Sequence, residues 1–380
     1  MPTSAIAVQA PRSAYVHVPF CAHRCGYCDF TVVAGRGDLV GDYLRAVQLE
    51  LATQPPAEVD TLYFGGGTPS QLTGDDFERL AHGVLRHWRP APGFEWTVEA
   101  NPADVTVDFI DRLSTLGVTR LSLGGQSFDA DKLRRLERDH GPDEIARAIG
   151  QARDAGIDVC VDLIFAAPGE TLDAWRRDLA AAITLRPCHV STYGLTYERG
   201  TAFWTRRLRG ELSEVAEDLQ RDMYLAAIDD LSAAGFEHYE VSNFAQPGRR
   251  SLHNQGYWSG DGYHAVGPGA TRFVAGVRET NHRSTTTYLR RTLAGESAVA
   301  EREVLSVEQR AREVLVFALR KLEGVDLSGF AAKTGYRVEE LGDAAIARYR
   351  RQGLLAESDG RLRLTREGLL VSDSLWPDLL

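Results

Sequence analysis

The sequence predicts an α/β chain, a partial (βα)6 barrel followed by a C-terminal winged-helix-like module. From residue 14 onward, apolar strand-like runs alternate six times with runs of helical period. That alternation is the pattern of a parallel sheet covered by helices. Glycine-rich or polar segments recur just past the strand-like runs, where such folds place function. Residues 306–380 then read as helices closed by an alternating strand, the outline of a helical module with a β-wing.

In chain order, residues 1–13 read as a short tail, disordered or at an edge. Ala14–Val18 is the first strand and leads into a cysteine loop. Tyr43–Leu51 has helical periodicity. Val59–Phe64 is the second strand, followed by a glycine loop. Thr73 and Asp76 stand as a capping box opening a helix whose apolar face carries Phe77, Leu80, Ala81, Val84, Leu85 and Trp88. Glu95–Val98 is the third strand and ends at Glu99. Ile110, Leu113 and Leu116 mark the next helix. Thr119–Leu123 is the fourth strand, with Gln126 just past it, and Ile145, Ala148, Ile149 and Ala152 mark a helix after that. Ile157–Phe165 is a nearly continuous apolar strand interrupted by Asp158 and Asp162. A helix over Leu172–Leu185 and a sixth strand, Val190–Tyr193, complete a core over 14–240. Residues 241–305 read as a connecting region. In the terminal module Ser306 and Gln309 form another capping box, and Gly360–Thr365 alternates as a strand.

With 43 basic and 53 acidic residues the net charge is −10. A nucleic-acid partner is disfavoured, because phosphate binding needs a basic face. The terminal module is balanced, with 12 basic and 12 acidic residues over 306–380, which suits packing or partner docking better than DNA. No apolar run reaches the ~20 residues of a membrane span. Five cysteines without a secretory signal place the chain in a reducing compartment, and Cys160 and Cys188 read as buried thiols acting as small hydrophobes.

The other three cysteines, Cys21, Cys25 and Cys28, stand in C-x3-C-x2-C spacing directly after the first strand. Three thiolates this close make a soft metal basket. A closed zinc site or an ordinary iron–sulfur cluster takes four ligands, so a four-iron cluster held here keeps one iron open for an external ligand. The plain alternative is a zinc knuckle completed by His17, His23 or Asp29. It is disfavoured because zinc ligands usually come in two spaced pairs. Gly65-Gly66-Gly67-Thr68-Pro69 after the second strand is not a G-x-G-x-x-G fingerprint. The acidic partner such a fingerprint wants about 20 residues on would fall at Arg86 and His87, so a nicotinamide site is rejected.

The cysteine spacing and the glycine loop together resemble the radical S-adenosylmethionine (SAM) proteins. The resemblance extends to the oxygen-independent coproporphyrinogen oxidase branch through His17–Cys21, Tyr27–Phe30, Gly65–Ser70, Glu99–Pro102, Leu121–Gly124, Gln126–Phe128, Asp162–Ile164 and Pro168-Gly169. Within that branch the chain is more similar to the haem-chaperone (HemW) family than to the oxidase. The oxidase carries a further cysteine where this chain has Phe30, and a longer segment before the cysteine loop, and His253-Asn254-Gln255-Gly256-Tyr257-Trp258 matches the H-N-x-x-Y-W motif of that family. Departures are Gly125 where valine is usual, Phe165-Ala166-Ala167 before Pro168, and Thr271 where histidine is frequent.

The resemblance implies a [4Fe-4S] cluster on Cys21, Cys25 and Cys28, with SAM chelating the open iron and reductively cleaved to methionine and a 5′-deoxyadenosyl radical. It implies SAM binding by Tyr15, Gly66, Gly67, Thr68, Glu99, Gln126, Arg138 and Asp162. Glu99 suits ribose hydroxyls, and Arg138 suits the methionine carboxylate. Haem is the implied cargo and acceptor haem proteins at the membrane surface the implied partners, with an electron donor such as a flavodoxin or ferredoxin. The location implied is cytoplasmic, peripheral to the inner face of the membrane. His253 is the candidate haem ligand, against a structural histidine in an aromatic loop; His238, His264 and His282 are alternatives. The rival readings are a coproporphyrinogen III oxidase decarboxylating propionates and a related radical SAM methyltransferase, so the sequence leaves enzymatic activity open.

Overall fold

A computed structural model describes residues 10–380. The first nine residues of the expected tail lie outside them. Arg12 is described, and its guanidinium pairs with Asp60 at 2.6 Å and Glu58 at 3.1 Å, so the chain is tied to a neighbouring strand before the first strand begins.

Six parallel strands form the wall in chain order: β1 (Ser13–Val18), β2 (Ala57–Gly66), β3 (Trp88–Ala100), β4 (Arg120–Gln126), β5 (Asp158–Phe165) and β6 (His189–Gly194). The longer helices between them are α1 (Val40–Leu51), α2 (Gly74–His87), α3 (Val107–Leu116), α4 (Pro142–Asp154) and α5 (Leu172–Leu185), with a short helix Ala130–Arg135 ahead of α4. β1 and β6 do not pair, which leaves the barrel partial. Successive strand residues face opposite sides. Val16, Leu62, Phe64, Trp96, Val98, Leu121, Leu123 and Val161 join the core with the helices. The alternate positions, Tyr15, Tyr63, Glu99, Ser122 and Asp162, point to the inside of the wall and its cavities.

The expected box at Ser306 forms, with Ser306 and Gln309 satisfying each other's backbone N–H groups. At Thr73 only half of the box forms: Thr73 Oγ1 accepts the Asp76 N–H at 3.2 Å, while the Asp76 carboxylate takes the Thr73 hydroxyl at 2.8 Å and not its backbone N–H. One boundary moves. The helical face read through Trp88 stops at His87, because Trp88 turns extended and opens a strand much longer than Glu95–Val98. Trp88 is fully buried and stacks on His264 at 5.5 Å.

Residues 241–305, which the sequence offers as a connection, join the same sheet. The additional strands are β7 (Glu237–Glu240), β8 (Asn243–Ala245), β9 (Tyr263–Val266), β10 (Thr271–Val274), β11 (Val277–Asn281) and β12 (Val299–Val304). β9 runs parallel to β1 on its open side, and β10–β12 continue from it antiparallel. Beyond them, helices Val307–Arg320, Leu327–Thr334 and Val338–Arg351 surround a second core containing Leu315, Leu319, Phe330, Ile346 and Leu362. A three-stranded wing, Val325–Asp326, Arg361–Leu364 and Leu355–Ser358, flanks it. This unit meets the barrel sheet through Val241 N–H to Arg320 O at 3.2 Å and Leu322 N–H to Tyr239 O at 3.1 Å.

Candidate functional site

The cysteine loop and the glycine loop are built as one unit. Phe20–Cys21 pairs with Val33–Ala34, closing the cysteine loop at its neck. Past β2 the glycine loop runs beside it, with Gly67 N–H to Val18 O at 2.9 Å and Thr68 N–H to Phe20 O at 2.7 Å. Glycine is required here. Gly66 has φ +98°, and a Cβ on it would fall 2.2 Å from the His17 imidazole; one on Gly67 would fall 2.5 Å from the Val18 carbonyl oxygen.

Cys21, Cys25 and Cys28 are free thiols lining one cavity at the C-terminal ends of the strands. The cavity holds about 850 Å³, counting the part open to solvent. Thr68 Oγ1 lies 3.3 Å from Cys21 Sγ, and Arg138 Nη1 donates to Cys25 Sγ at 3.4 Å. Burial pushes the Cys21 thiol up to about 11 and the Cys28 thiol upward too, so metal binding must displace their protons. Among the described residues, no three His, Cys, Asp or Glu side chains are gathered as ligands of one ion. An iron–sulfur cluster takes each thiolate on a different iron, so three thiols spread around one cavity fit it without converging. The zinc alternative loses His17, whose Nε2–H donates to Thr31 O at 2.7 Å while Nδ1 accepts from the Tyr15 hydroxyl at 3.1 Å.

Of the eight residues the sequence assigns to SAM, seven line this cavity: Gly66, Gly67, Thr68, Glu99, Gln126, Arg138 and Asp162. Tyr15 lines an adjoining cavity that shares Gly66 and Glu99. Glu99 accepts from the Tyr63 hydroxyl at 2.7 Å and from the Gly66 N–H at 2.8 Å. Burial pushes Glu99 up to about 7 and Asp162 up to about 6, with the Asp162 charge adding to the effect on Glu99. Arg138 donates to Gly124 O at 3.1 Å, closing the cavity over β4. Gln126 sits at φ +64°, a left-handed position for a side chain other than glycine. The turn that holds it is fixed from behind. Ser127 Oγ and Phe128 N–H both donate to Asp178 at 2.7 Å, and the buried Lys132 ammonium pairs with Asp178 at 2.9 Å and Glu170 at 2.5 Å.

His253 stands apart from these groups. It occupies the first turn of helix Leu252–Trp258 and is 2% exposed. Its backbone N–H donates to Glu95 at 3.0 Å, and its Nδ1 lies 2.8 Å from Thr61 Oγ1. Its ring stacks on Tyr63 and meets Tyr257 edge-on. Nε2 is buried with no protein partner, and burial pushes the imidazole down to about 3, which keeps it neutral.

Sequence reasoning misses Tyr63, Ser122 and Asn101 as part of the site. The signal for the first two is present: each occupies an inward position of a period-two strand whose other face is apolar. Cys160 is buried as expected, and Cys188 only partly. They are not isolated small hydrophobes: the buried Arg120 guanidinium donates to both, at 3.3 and 3.7 Å, and pairs with Glu95 at 3.2 Å. Adjacent strands bring them together, which no local pattern reveals.

Residues 15–182 match the Radical SAM superfamily, and residues 305–371 match the HemN C-terminal domain. A protein named heme chaperone HemW from Lactococcus lactis is 34% identical over 374 residues, covering 98% of each chain. Its namesake from Escherichia coli is 35% identical, covering 96% of this chain and 97% of its own. The chain belongs to the HemW family. Its fold is also that of a solved coproporphyrinogen III oxidase, HemN from Escherichia coli, with a TM-score of 0.86 at 21% identity over 99% of this chain and 91% of that one. In this HemW-family chain the cysteine loop, the glycine loop and the strand-end residues all fall within the superfamily match, whereas the H-N-x-x-Y-W segment lies between the two matched regions. Among the described residues no helix is long and apolar enough to cross a membrane.

Proposed function

We propose that this chain is a haem chaperone that binds haem and transfers it to acceptor haem proteins, carrying a [4Fe-4S] cluster with SAM on its open iron. The observation that carries this reading is full-length similarity, at 31–37% identity, to bacterial proteins named as haem chaperones. The three-thiol cavity supports the cluster. Cys21, Cys25 and Cys28 would hold it; Gly66, Gly67, Thr68, Glu99, Gln126, Arg138 and Asp162 would bind SAM, with Tyr15 at the adjoining cavity. When bound, the cluster supplies the electron that cleaves SAM. This chain's own residues would bind and orient: the Glu99 carboxylate would accept hydrogen bonds from ribose hydroxyls, and the Arg138 guanidinium would meet a carboxylate.

His253 remains the candidate haem ligand. Its unpartnered Nε2 is the supporting observation, and access requires helix Leu252–Trp258 to move off Thr61 and Glu95. A flavodoxin or ferredoxin is the proposed electron donor, and the proposed location is the cytoplasm, with transfer to acceptors at the inner face of the membrane.

The test uses anaerobically reconstituted protein. Haemin is titrated while 5′-deoxyadenosine is quantified with dithionite, with and without coproporphyrinogen. Stoichiometric haem binding without porphyrinogen decarboxylation supports the chaperone. Decarboxylation coupled to 5′-deoxyadenosine and indifferent to haem restores the oxidase reading.

A further inference from the structure

The outer face of the cysteine loop borders a second cavity, of about 930 Å³ counting the part open to solvent. Three arginines from distant parts of the chain line it: Arg24 in the cysteine loop, Arg199 in the turn after β6, and Arg283 after β11. Among the described residues none of the three is held by a carboxylate. Arg24 donates to Cys28 O at 3.1 Å, Arg283 donates to Asp29 O at 2.8 Å, and Arg199 lies 5.7 Å over the Trp204 ring. Nearby arginines outside the cavity are ion-paired, Arg206 with Glu137 and Arg207 with Glu214. Asp29 is the one acidic residue of the lining. In a chain of net charge −10, three guanidinium groups against one carboxylate on one concavity mark a site for an anion.

The ligand must also be aromatic or apolar in part. Phe30 is 62% exposed, a large apolar side chain left in solvent beside these charges. It lines this cavity, the cluster cavity and the adjoining cavity under Tyr15, so it stands where the three meet. Arg24 is shared with the cluster cavity and Arg283 with the Tyr15 cavity. A concave surface with one aromatic platform and guanidinium groups around it suits a flat macrocycle bearing carboxylates. A docking protein would call for a broader, flatter face.

We propose that the porphyrin cargo docks here, its ring against Phe30 and its two propionates on Arg24, Arg199 and Arg283. The inference rests on the haem-chaperone reading and adds the place and the recognition chemistry. It puts the initial haem site on the outside of the cluster loop, away from the buried His253.

The test is haemin titration of the reconstituted full-length protein, read by Soret absorbance and tryptophan quenching. Cluster absorbance and thermal stability are followed in every variant. Each of Arg199→Ala and Arg283→Ala is expected to weaken haemin about tenfold, with Phe30→Ala weakening it several-fold. Arg199→Lys and Arg283→Lys, which keep the charge, should fall between. Haemin dimethyl ester, lacking the free carboxylates, should bind the wild type as poorly as haemin binds the double alanine variant. Arg24 is left intact in this test because it holds the carbonyl of a cluster cysteine, Cys28; Arg283 holds the neighbouring Asp29 carbonyl, so cluster retention is the control that validates its variants. Undiminished haemin binding by a double alanine variant that keeps its cluster overturns the site and leaves the chaperone reading standing. Slower reduction by flavodoxin with haemin affinity unchanged also overturns it, reassigning the surface to the electron donor. A wild type that does not bind haemin at all removes the chaperone reading and the site with it.

Discussion

The Tyr63 ring stacks on the His253 imidazole, with centroids 5.1 Å apart and planes at 29°. The Tyr63 hydroxyl donates to Glu99, so the buried histidine is coupled through one side chain to the cluster cavity. An effect of changing His253 is therefore not by itself evidence of haem ligation.

His253→Ala is expected to destabilise the chain by about 2–4 kcal/mol through the void and the lost Thr61 contact. It is also expected to raise the Kd for SAM by freeing Tyr63. Denaturant unfolding and SAM titration on the same protein check both. Unchanged stability would show that the histidine is not packed as described.

Single Cys21→Ser, Cys25→Ser and Cys28→Ser changes are each expected to reduce iron and sulfide content and the cluster's visible absorbance after reconstitution. Cys160→Ala and Cys188→Ala should leave both unchanged, because those thiols face Arg120 and not the cavity. Loss of cluster in either alanine variant would contradict the assignment.

Glu99 predicts a pH dependence of the cluster-free chain. Its folded value, raised to about 7 from an ordinary 4.5, means the folded chain holds a proton that the unfolded chain has released. Stability then falls as pH rises between those two values. Glu99→Gln should thus melt higher than wild type at a pH of about 8, and the gain should shrink towards nothing as pH falls to about 4.5. A difference that does not vary with pH would mean the carboxylate stays charged throughout. Tyr63 and Asp162 face the same group, so Tyr63→Phe, which removes a donor to the charged form, should enlarge the effect.

Lys132→Ala is expected to cost about 3–5 kcal/mol, since it leaves Glu170 and Asp178 buried without their cation. Because Asp178 also holds Ser127 and the Phe128 N–H, the Gln126 turn should loosen and SAM should bind more weakly. Unfolding curves and SAM titration are the measurements, and a variant as stable as wild type would show the charges to be solvated.

The sequence by itself determined the barrel and most of the cavity. Strand-to-helix alternation is local, and in a parallel sheet every strand ends on the same side. Cys21, Gly66, Glu99, Gln126 and Asp162 were therefore readable as neighbours from their positions past successive strands. The cysteine spacing likewise needed no tertiary information. Only the tertiary structure decided what depends on contacts between distant segments. It paired β9 with β1 and turned the connecting region into sheet, a step hidden by strands of three to six residues. It buried His253 against Thr61 and Tyr63, joined Cys160 to Cys188 beneath Arg120, and brought Arg24, Arg199 and Arg283 around Phe30. Nothing local links residues that far apart in the chain; the path of the chain through the sheet places them on one surface.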